Sequence, residues 1–235
     1  MATPESAVAG TRRVVASPRV LTANDVPAAA EVFATAFMVE PGNVVFFPDP
    51  EARRRLLEPT GRLVVARALR HATAYGVEAD GELAAVAVWD PPGARPGLPP
   101  PWALPTVLRR AALVAGQLRG VAGPVVEHRR ELVPLALARR RAVRIASRGP
   151  SWHLSFLATH PDHQGRGLAR QLVDHVLRRC DADGLPAWLE TTDPGNPPIY
   201  ERLGFATVGH VEPAAWLPGL WVMRREPRVA SAPPR

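Results

Sequence analysis

One stretch of the sequence, Ser151–Asp183, limits the possible folds more than any other. Its first part, Ser151–Thr159, has the length and the apolar content of a β-strand. Its last part, Leu168–Asp183, has apolar residues at helical spacing and is followed by Gly184, which is typical of a helix end. A loop rich in histidine and glycine joins the two parts. A strand that runs through such a loop into a helix indicates a domain that combines a sheet with helices.

The rest of the chain also alternates between strand and helix signals. Asn24 or Asp25 is expected to cap a first helix, with Pro27 in its first turn. Asp80–Gly81 lies between two apolar runs and predicts a hairpin. The other predicted strands are Arg19–Thr22, Thr73–Glu78, Leu83–Trp89, Ala187–Thr191, Phe205–Val211 and Leu220–Arg224. The other predicted helices are Glu51–Arg70, Leu104–Leu118, Pro124–Ser147 and Pro198–Leu203. This order predicts an α+β or α/β fold with a mixed sheet.

Composition sets the expected domain boundaries. Residues 1–17 and 227–235 are expected to be flexible ends around a single domain, 18–226. Residues 91–148 are predicted to form a helical insertion, because a segment dense in proline and glycine is followed there by two helical segments. The insertion is expected to rest on the rim of the sheet without entering the core. In the helix predicted before the hairpin, a run of three arginines is expected to face solvent: Arg53, Arg54 and Arg55.

The charge of the chain comes entirely from arginine on its basic side. There are 29 Lys+Arg against 22 Asp+Glu, a net charge of +7, and no lysine occurs. Such a bias fits a general compositional effect, and it also fits attraction to a polyanion. A basic cluster in the insertion is either a solvated helix face or a phosphate contact: Arg139, Arg140, Arg141 and Arg144. One cysteine, no signal-peptide pattern and no membrane-spanning run lead us to expect a cytoplasmic protein without a membrane partner.

The loop after Thr159 has the features of an anion site. Gly165 and Gly167 allow a tight turn and a close approach of backbone to a ligand. The free N–H groups at the start of the following helix favour a phosphate group, and Arg166 and Arg170 add positive charge. The lysine and hydroxyl of a P-loop are absent, and only half of a dinucleotide-binding glycine pattern is present. A plain strand-to-helix turn is the remaining alternative.

Two blocks of sequence together resemble one known family. Gln164–Ala169 matches the Q/R-x-x-G-x-G/A signature of the GNAT superfamily of N-acetyltransferases. Downstream, Asn196 followed by Tyr200–Phe205 resembles the late motif of that family, an Asn and then Y-x-x-x-G-F. Within the superfamily, Trp152–Phe205 is similar to the bacterial branch that contains puromycin N-acetyltransferase. The resemblance implies a GNAT-type mixed, mostly antiparallel central sheet flanked by helices, here with a helical insertion.

The resemblance also implies a binding site for acetyl-CoA. The backbone of Leu157 and Thr159 would hydrogen-bond the pantetheine arm, and the N–H groups of Gln164–Ala169, called the glycine loop below, would hold the pyrophosphate. Asn196 would meet the pantetheine or acetyl end. The residues implied in cofactor binding are Leu157, Ala158, Thr159, Gln164, Gly165, Arg166, Gly167, Leu168, Ala169 and Asn196.

Three residues are candidates for the proton transfers. By resemblance, Tyr200 would be the general acid toward the leaving thiolate of CoA, and its alternative is a core aromatic. Glu190 or His153 would be the general base; His153 occupies the strand position that carries the base glutamate in the histone-acetyltransferase branch. His160 and His163 have no metal-site companions, so no metal is expected. Cys180 is expected to be a buried small hydrophobe.

The sequence therefore predicts an N-acetyltransferase that moves an acetyl group to a primary amine of a small molecule or peptide by direct attack. The alternative is a GNAT-fold binding module without turnover, or an Arg-rich protein that interacts with nucleic acid; nucleic acid is not the expected partner. A monomer or homodimer is expected. The segment Glu40–Pro50 and the insertion are expected to shape the acceptor site. The insertion is either a lid that selects the acceptor or a cover for a sheet edge.

Overall fold

The computed structural model describes residues 16–71, 73–94, 129–212 and 217–228, with the backbone alone at residues 129–132. Most of the predicted insertion, including the helix predicted over Leu104–Leu118, lies outside the described residues. Within the described ranges, no helix combines the length and the hydropathy needed to cross a bilayer.

The described elements alternate as the sequence predicts. The strands are β1 (Arg19–Val20), β2 (Ala74–Ala79), β3 (Glu82–Asp90), β4 (Trp152–Thr159), β5 (Ala187–Thr191), β6 (Ala206–Val211) and β7 (Leu220–Arg225). The helices are α1 (Val26–Phe37), α2 (Pro41–Phe46), α3 (Pro50–Leu69), α4 (Arg129–Ala146), α5 (Leu168–Asp183) and α6 (Pro197–Arg202). The seven strands form one sheet in the order β1-β2-β3-β4-β5-β7-β6. The β4–β5 pair is parallel and the other neighbours are antiparallel, which confirms the mixed, mostly antiparallel sheet.

Residues before each N-terminal helix explain where it begins. Asp25 precedes α1, with proline in the first turn. Asp49 caps α3 by accepting hydrogen bonds of 3.2 Å from the N–H groups of Glu51 and Ala52. Glu40 caps the short helix α2, which the sequence did not predict, by accepting a 2.8 Å bond from the N–H of Asn43. Carboxylates at helix N-termini also interact favourably with the helix dipole.

Helices cover both faces of the sheet. One face packs against α5, whose buried side includes Leu168, Leu172, Val176 and Leu177. The opposite face packs against α1 and α3 over strands β2 to β4. Helix α4 covers the same face farther along, over β6 and β7. These helices leave a cavity on this face, and His153 of β4 and Trp188 of β5 are among the residues that line it.

The structure corrects one expectation about the run of three arginines in α3. Arg53 is buried, because it lies three and four positions before Leu56 and Leu57 and shares their face; its Nη1 donates a 2.6 Å bond to the carbonyl of Phe47. Arg54 and Arg55 are exposed, as expected.

Helix α4 contributes to the core instead of resting on the rim of the sheet. Its Ala142 and Ala146 are buried against Trp188 and Val222. Gly209 on β6 lies so close to Ala142 that a side chain at this glycine would collide with the helix.

Candidate active site

Strand β4 changes direction at a bulge near its middle. Leu154 pairs with Trp89 and Phe156 pairs with Val88, so Ser155 has no residue opposite it on β3. The bulge reverses the side chains: Leu154 packs on the α5 side of the sheet and Phe156 on the α1 side. A bulge bends its strand and increases its twist.

Beyond the bulge, β4 separates from β5. The parallel pairing ends at Leu154 and Leu189, although β4 continues to Thr159. The N–H of His160 donates to Ala84 on β3 over 2.8 Å. Because backbone groups of successive residues in a strand point to opposite edges, Leu157 and Thr159 direct theirs toward the gap, and Ala158 directs its own toward β3. The fork between β4 and β5 therefore exposes a row of backbone donors and acceptors.

The glycine loop lies at the open end of this fork. Gly165 and Gly167 have φ values of 74° and 75°, in the left-handed region that favours glycine. No atom lies within 4 Å of the place where a side chain would start at either glycine. The first backbone bond into α5 joins the N–H of Gln171 to the carbonyl of Gly167 over 3.0 Å. The N–H groups of Leu168 and Ala169 precede that bond, and such groups at a helix start suit an anion.

The arginines near the loop have other partners. Arg166 was expected to add charge to the anion site, but its Nη1 lies 2.7 Å from Asp80 and 2.8 Å from Nδ1 of His163. Arg170 pairs with Asp174 along the surface of α5. Arg166 therefore ties the glycine loop to the β2–β3 turn, and the backbone supplies the donors of the loop.

Tyr200 and Asn196 are at the start of α6, beyond the end of β5. Tyr200 is buried, its ring meets Phe205 edge-on at 5.9 Å, and burial raises its pKa to about 12, with a smaller contribution from Asp193. The phenol therefore stays protonated at neutral pH. Asn196 precedes α6, and its Nδ2 donates a 2.9 Å bond to the hydroxyl of Thr191.

The two candidate bases lie on the same face of the sheet in different surroundings. Glu190 on β5 accepts a 2.8 Å bond from Arg139 of α4 at Oε2, while its Oε1 is buried with no partner among the described residues. His153 on β4 stacks on Trp188, with ring centroids 3.8 Å apart and planes 11° apart. Its Nδ1 lies 3.3 Å from Oδ2 of Asp90.

Sequence reasoning missed several residues around the site. Asp90 receives a 2.5 Å ion pair from Arg67 on its other oxygen, and both line a cavity of about 320 Å³ with His153. Glu40, besides capping α2, accepts a hydrogen bond from the hydroxyl of Thr192, just after β5. These contacts join residues far apart in sequence, and no local motif marks them.

The remaining predictions concern metals and the cysteine. Among the described residues, no group of three or more His, Cys, Asp or Glu side chains is arranged to hold a metal ion. Cys180 is fully buried in the core under α5, and burial raises the pKa of its thiol to about 12. It therefore packs as a small apolar side chain, as the sequence predicts.

Comparisons with known proteins agree with this geometry. The structure is similar to a histone acetyltransferase HPA2-related protein from Corynebacterium glutamicum, with a TM-score of 0.58 and 18% identity, covering 92% of this chain and 98% of that one. It is also similar to a polyamine N-acetyltransferase from Drosophila melanogaster, with a TM-score of 0.55 and 16% identity over 91% and 100% of the two chains. Both likenesses concern the fold.

Sequence comparison identifies the family. An uncharacterized N-acetyltransferase of Schizosaccharomyces pombe is 40% identical over 55 residues, which is 23% of this chain and 22% of that protein. This chain thus matches only about a fifth of that relative's length. The profile described as the acetyltransferase (GNAT) family matches residues 45–205, well over half of the chain. The chain belongs to the GNAT family of acetyltransferases.

Proposed function

We propose that this protein transfers an acetyl group from acetyl-CoA to a primary amine of a small molecule or peptide, by direct attack in a ternary complex. The observation that carries the proposal is the fork between β4 and β5, which opens directly onto the glycine loop at the start of α5. A linear ligand with an anionic end fits both parts at once.

The donor side is argued from backbone groups. The free edge at Leu157 and Thr159 would hydrogen-bond the amide groups of the pantetheine arm, as a neighbouring strand does. The helix start after Gly167 would hold the pyrophosphate. A GNAT-fold neighbour in this comparison, the PaiA N-acetyltransferase of Thermoplasma acidophilum, was solved in complex with coenzyme A, at a TM-score of 0.51 and 9% identity.

Tyr200 would protonate the leaving sulfur. Aminolysis of a thioester needs a neutral amine, a polarised carbonyl and a proton for the thiolate. A phenol with a pKa of about 12 is protonated at neutral pH, so it has a proton to give to the leaving thiolate. Asn196, fixed by Thr191, would orient the pantetheine or acetyl end. Glu190 and His153 are the candidates that would take the proton of the amine.

The segment Glu40–Pro50, which we propose helps to shape the acceptor site, contains α2. Glu40 links the start of α2 to Thr192, so this segment lies beside the end of β5. Three apolar side chains in and next to α2 are exposed: Val39, Val44 and Val45. The comparison includes an arylalkylamine N-acetyltransferase of Aedes aegypti, at a TM-score of 0.55 and 12% identity, and the Drosophila polyamine enzyme. Amines with an apolar part are therefore among the acceptors to test.

The proposal also covers the branch of the family, the location, the oligomeric state and the role of the insertion. Membership of the puromycin N-acetyltransferase-like branch, a cytoplasmic location and a monomeric or homodimeric state are proposed on the sequence features described above. The lid role of residues 91–148 is also a proposal. The described part of this insertion, α4, packs on the sheet and reaches Glu190 through Arg139, so it has both a covering role and a contact at the site.

A binding module without turnover is the alternative reading. It would keep CoA binding and lack acetyl transfer. The buried, protonated Tyr200 favours turnover, because binding alone needs no proton donor. An Arg-rich nucleic-acid binder is disfavoured because several basic groups are already paired with acids on the protein, as in Arg139–Glu190 and Arg166–Asp80.

Calorimetry and a transfer assay test the proposal together. Acetyl-CoA is titrated into the protein, and thiol release is then followed with a panel of primary amines that includes arylalkylamines, polyamines and short peptides. Saturable binding with amine-dependent thiol release is expected. Binding without release over the whole panel supports the silent module, and absence of CoA binding refutes the proposal.

A further inference from the structure

We propose that the acceptor amine enters the cavity at the start of β4, where His153 takes its proton and Asp90, held by Arg67, positions His153. This inference rests on the acetyl transfer proposed above and assigns its acceptor side. Asp90 and Arg67 would act through His153, so they are positioning residues.

The cavity has the size of a site for a compact ligand. Its volume is about 320 Å³, at the lower end of the roughly 300–1,000 Å³ that small-molecule pockets span. The polar end is formed by Arg67, Asp90 and His153, and Trp188 forms an aromatic wall. A second cavity of about 170 Å³ lies on the other side of the Arg67–Asp90 pair. This shape suits a small amine better than the surface of a folded protein.

The contacts of Asp90 fix the imidazole in one orientation. One carboxylate oxygen lies 3.3 Å from Nδ1 of His153, and the other lies 2.5 Å from the guanidinium of Arg67. Burial raises the pKa of Asp90, but the hydrogen bond from His153 and the charge of Arg67 outweigh burial and leave the pKa below its usual value. The carboxylate therefore accepts a proton donor at Nδ1, and we infer that Nε2 carries the free lone pair.

Trp188 restricts the remaining freedom of the ring. The imidazole and the indole lie nearly parallel with their centroids 3.8 Å apart. The two residues are also direct neighbours across the parallel pair of strands. Stacking on one side and Asp90 at one edge leave the opposite edge, with Nε2, as the reactive part of the imidazole.

Glu190 is less suited to take the proton. Arg139 occupies its Oε2, and Oε1 is buried, so neither oxygen opens onto the described cavity. His153 lines that cavity directly. An amine inside it would therefore meet the imidazole before the carboxylate.

His153 is also close to the place where the strands separate. The β4–β5 pairing ends at Leu154, one residue later, and the unpaired Ser155 follows. A strand rises about 3.3 Å per residue, so His153 and Ser155 are roughly 7 Å apart along β4. An imidazole side chain, directly or through one water, spans such a distance to a nitrogen at the fork.

The proton and bond changes balance as follows. Nε2 of His153 takes one proton from the bound ammonium, and the neutral nitrogen attacks the carbonyl carbon of the thioester. The new C–N bond forms, the C–S bond breaks, and Tyr200 gives its proton to the sulfur. The second proton released by the nitrogen replaces the one that Tyr200 gave, and His153 releases its proton to solvent. The products are the N-acetyl amine and CoA thiol.

Charged groups approach His153 from each packed element. Asp90 comes from β3 and Arg67 from α3, while Arg70 and His71 line the second cavity behind them. The Glu190–Arg139 pair joins β5 to α4 two residues beyond Trp188. Asp90 is the charged group that touches the imidazole itself, so its removal should have the largest effect on the orientation of the ring.

A matched histidine elsewhere in the sheet provides the control. His210 on β6 stacks on Trp221 at 4.6 Å, and its Nδ1 lies 3.1 Å from Glu212, an arrangement like that of His153. His153→Ala should lower kcat/KM for 2-phenylethylamine or putrescine by about 10²-fold or more, with partial rescue by added imidazole. His210→Ala should change it by less than about twofold. CoA affinity should stay unchanged in both variants.

Asp90→Asn separates positioning from a merely structural role. The loss of the carboxylate should lower kcat about tenfold with little change in KM for the amine, and Asp90→Glu should restore part of kcat. In the wild-type protein, histidine NMR signals of His153 should shift when either amine is added, and those of His210 should not. Unshifted His153 signals, equal kinetics for the two alanine variants, or an unchanged kcat in Asp90→Asn would overturn the assignment. A wild-type protein that neither binds CoA nor releases thiol would instead count against the proposed function, while the NMR titration still tests the cavity.

Discussion

The two ends of strand β4 present different kinds of chemistry. At the end near Thr159, the groups offered to a ligand are backbone N–H and C=O groups along a free strand edge and at a helix start. At the end near Trp152, they are side chains drawn from three elements: His153, Asp90 and Arg67. A backbone site depends on the fold itself, whereas a side-chain site changes with single substitutions. The end near Thr159, the proposed acetyl-CoA site, is therefore suited to one constant ligand, and we call it the donor end. The end near Trp152, the proposed amine site, is suited to a variable ligand, and we call it the acceptor end.

The largest effect is expected from a side chain placed in the backbone site. In Gly167→Leu, the left-handed conformation costs a non-glycine residue roughly 1–2 kcal/mol, and the new side chain enters the open space over the loop. CoA affinity measured by calorimetry should fall by at least about 100-fold, the loss of two or more oriented phosphate hydrogen bonds. Acetyl transfer should fall with it at low CoA concentration.

Gly184→Leu is the matched control for that variant. Gly184 ends the same helix with a φ of 65° and open space around it, so it carries similar strain far from the loop. Its melting temperature should fall about as much as that of Gly167→Leu, while CoA affinity stays within about twofold of wild type. Equal CoA affinities in the two variants would show that the loop at Gly167 is not the CoA site.

The next effect concerns the point between the two ends, where the thioester would react. Tyr200→Phe should lower kcat by about 10²–10⁴-fold, the usual contribution of a positioned proton donor, with little change in CoA affinity. The pKa of Tyr200 is raised by burial to about 12, so the phenol loses its proton only well above neutral pH. Any fall in kcat on the alkaline side below about pH 11 must then come from another group. A fully active Phe variant would exclude Tyr200 as the acid.

The smallest effect is expected from substitution of Glu190. This experiment decides whether the general base is His153 on β4 or Glu190 on β5. Glu190→Gln should lower kcat/KM by less than about tenfold, because His153 performs the proton transfer. Arg139→Gln breaks the same ion pair from the exposed side and should cost no more than about 1 kcal/mol of stability. A loss of kcat/KM in Glu190→Gln as large as that in His153→Ala would identify Glu190 on β5 as the general base.

Sequence alone predicted the donor end well, because its signals are local. The bounds of Leu168–Asp183 and Ala187–Thr191 are confirmed to the residue, since the apolar spacing of the helix ends at Gly184 and the strand lies between turn residues. The resemblance of Gln164–Ala169 to a family signature is supported by the family match. The ligand contacts proposed for these residues are still predictions.

The acceptor end could not be read in the same way. Asp90 lies 23 residues from Arg67 and 63 residues from His153. The antiparallel register of β3 and β4 brings Asp90 to His153, and the packing of α3 on the sheet brings Arg67 to Asp90. The short helix α2 lacks the repeated apolar spacing that marks a longer helix, and a proline begins it. The prediction that Arg53 faces solvent is wrong, because it follows the charge of the side chain, whereas the position of Arg53 on the helix places it on the buried face.

The position of β7 has a consequence for the order in which the sheet folds. This strand follows β5 and β6 in the chain, yet it lies between them in the sheet. Its Arg225 also reaches back to Asp181 in α5 and to the carbonyl of Leu203. During translation, every residue of both ends of β4 is already synthesised while β5 and β6 still lack the strand that joins them. The sheet can therefore close only after Leu220–Arg225 has been synthesised and has paired with both strands, so the insertion of β7 is expected to be a late step in folding.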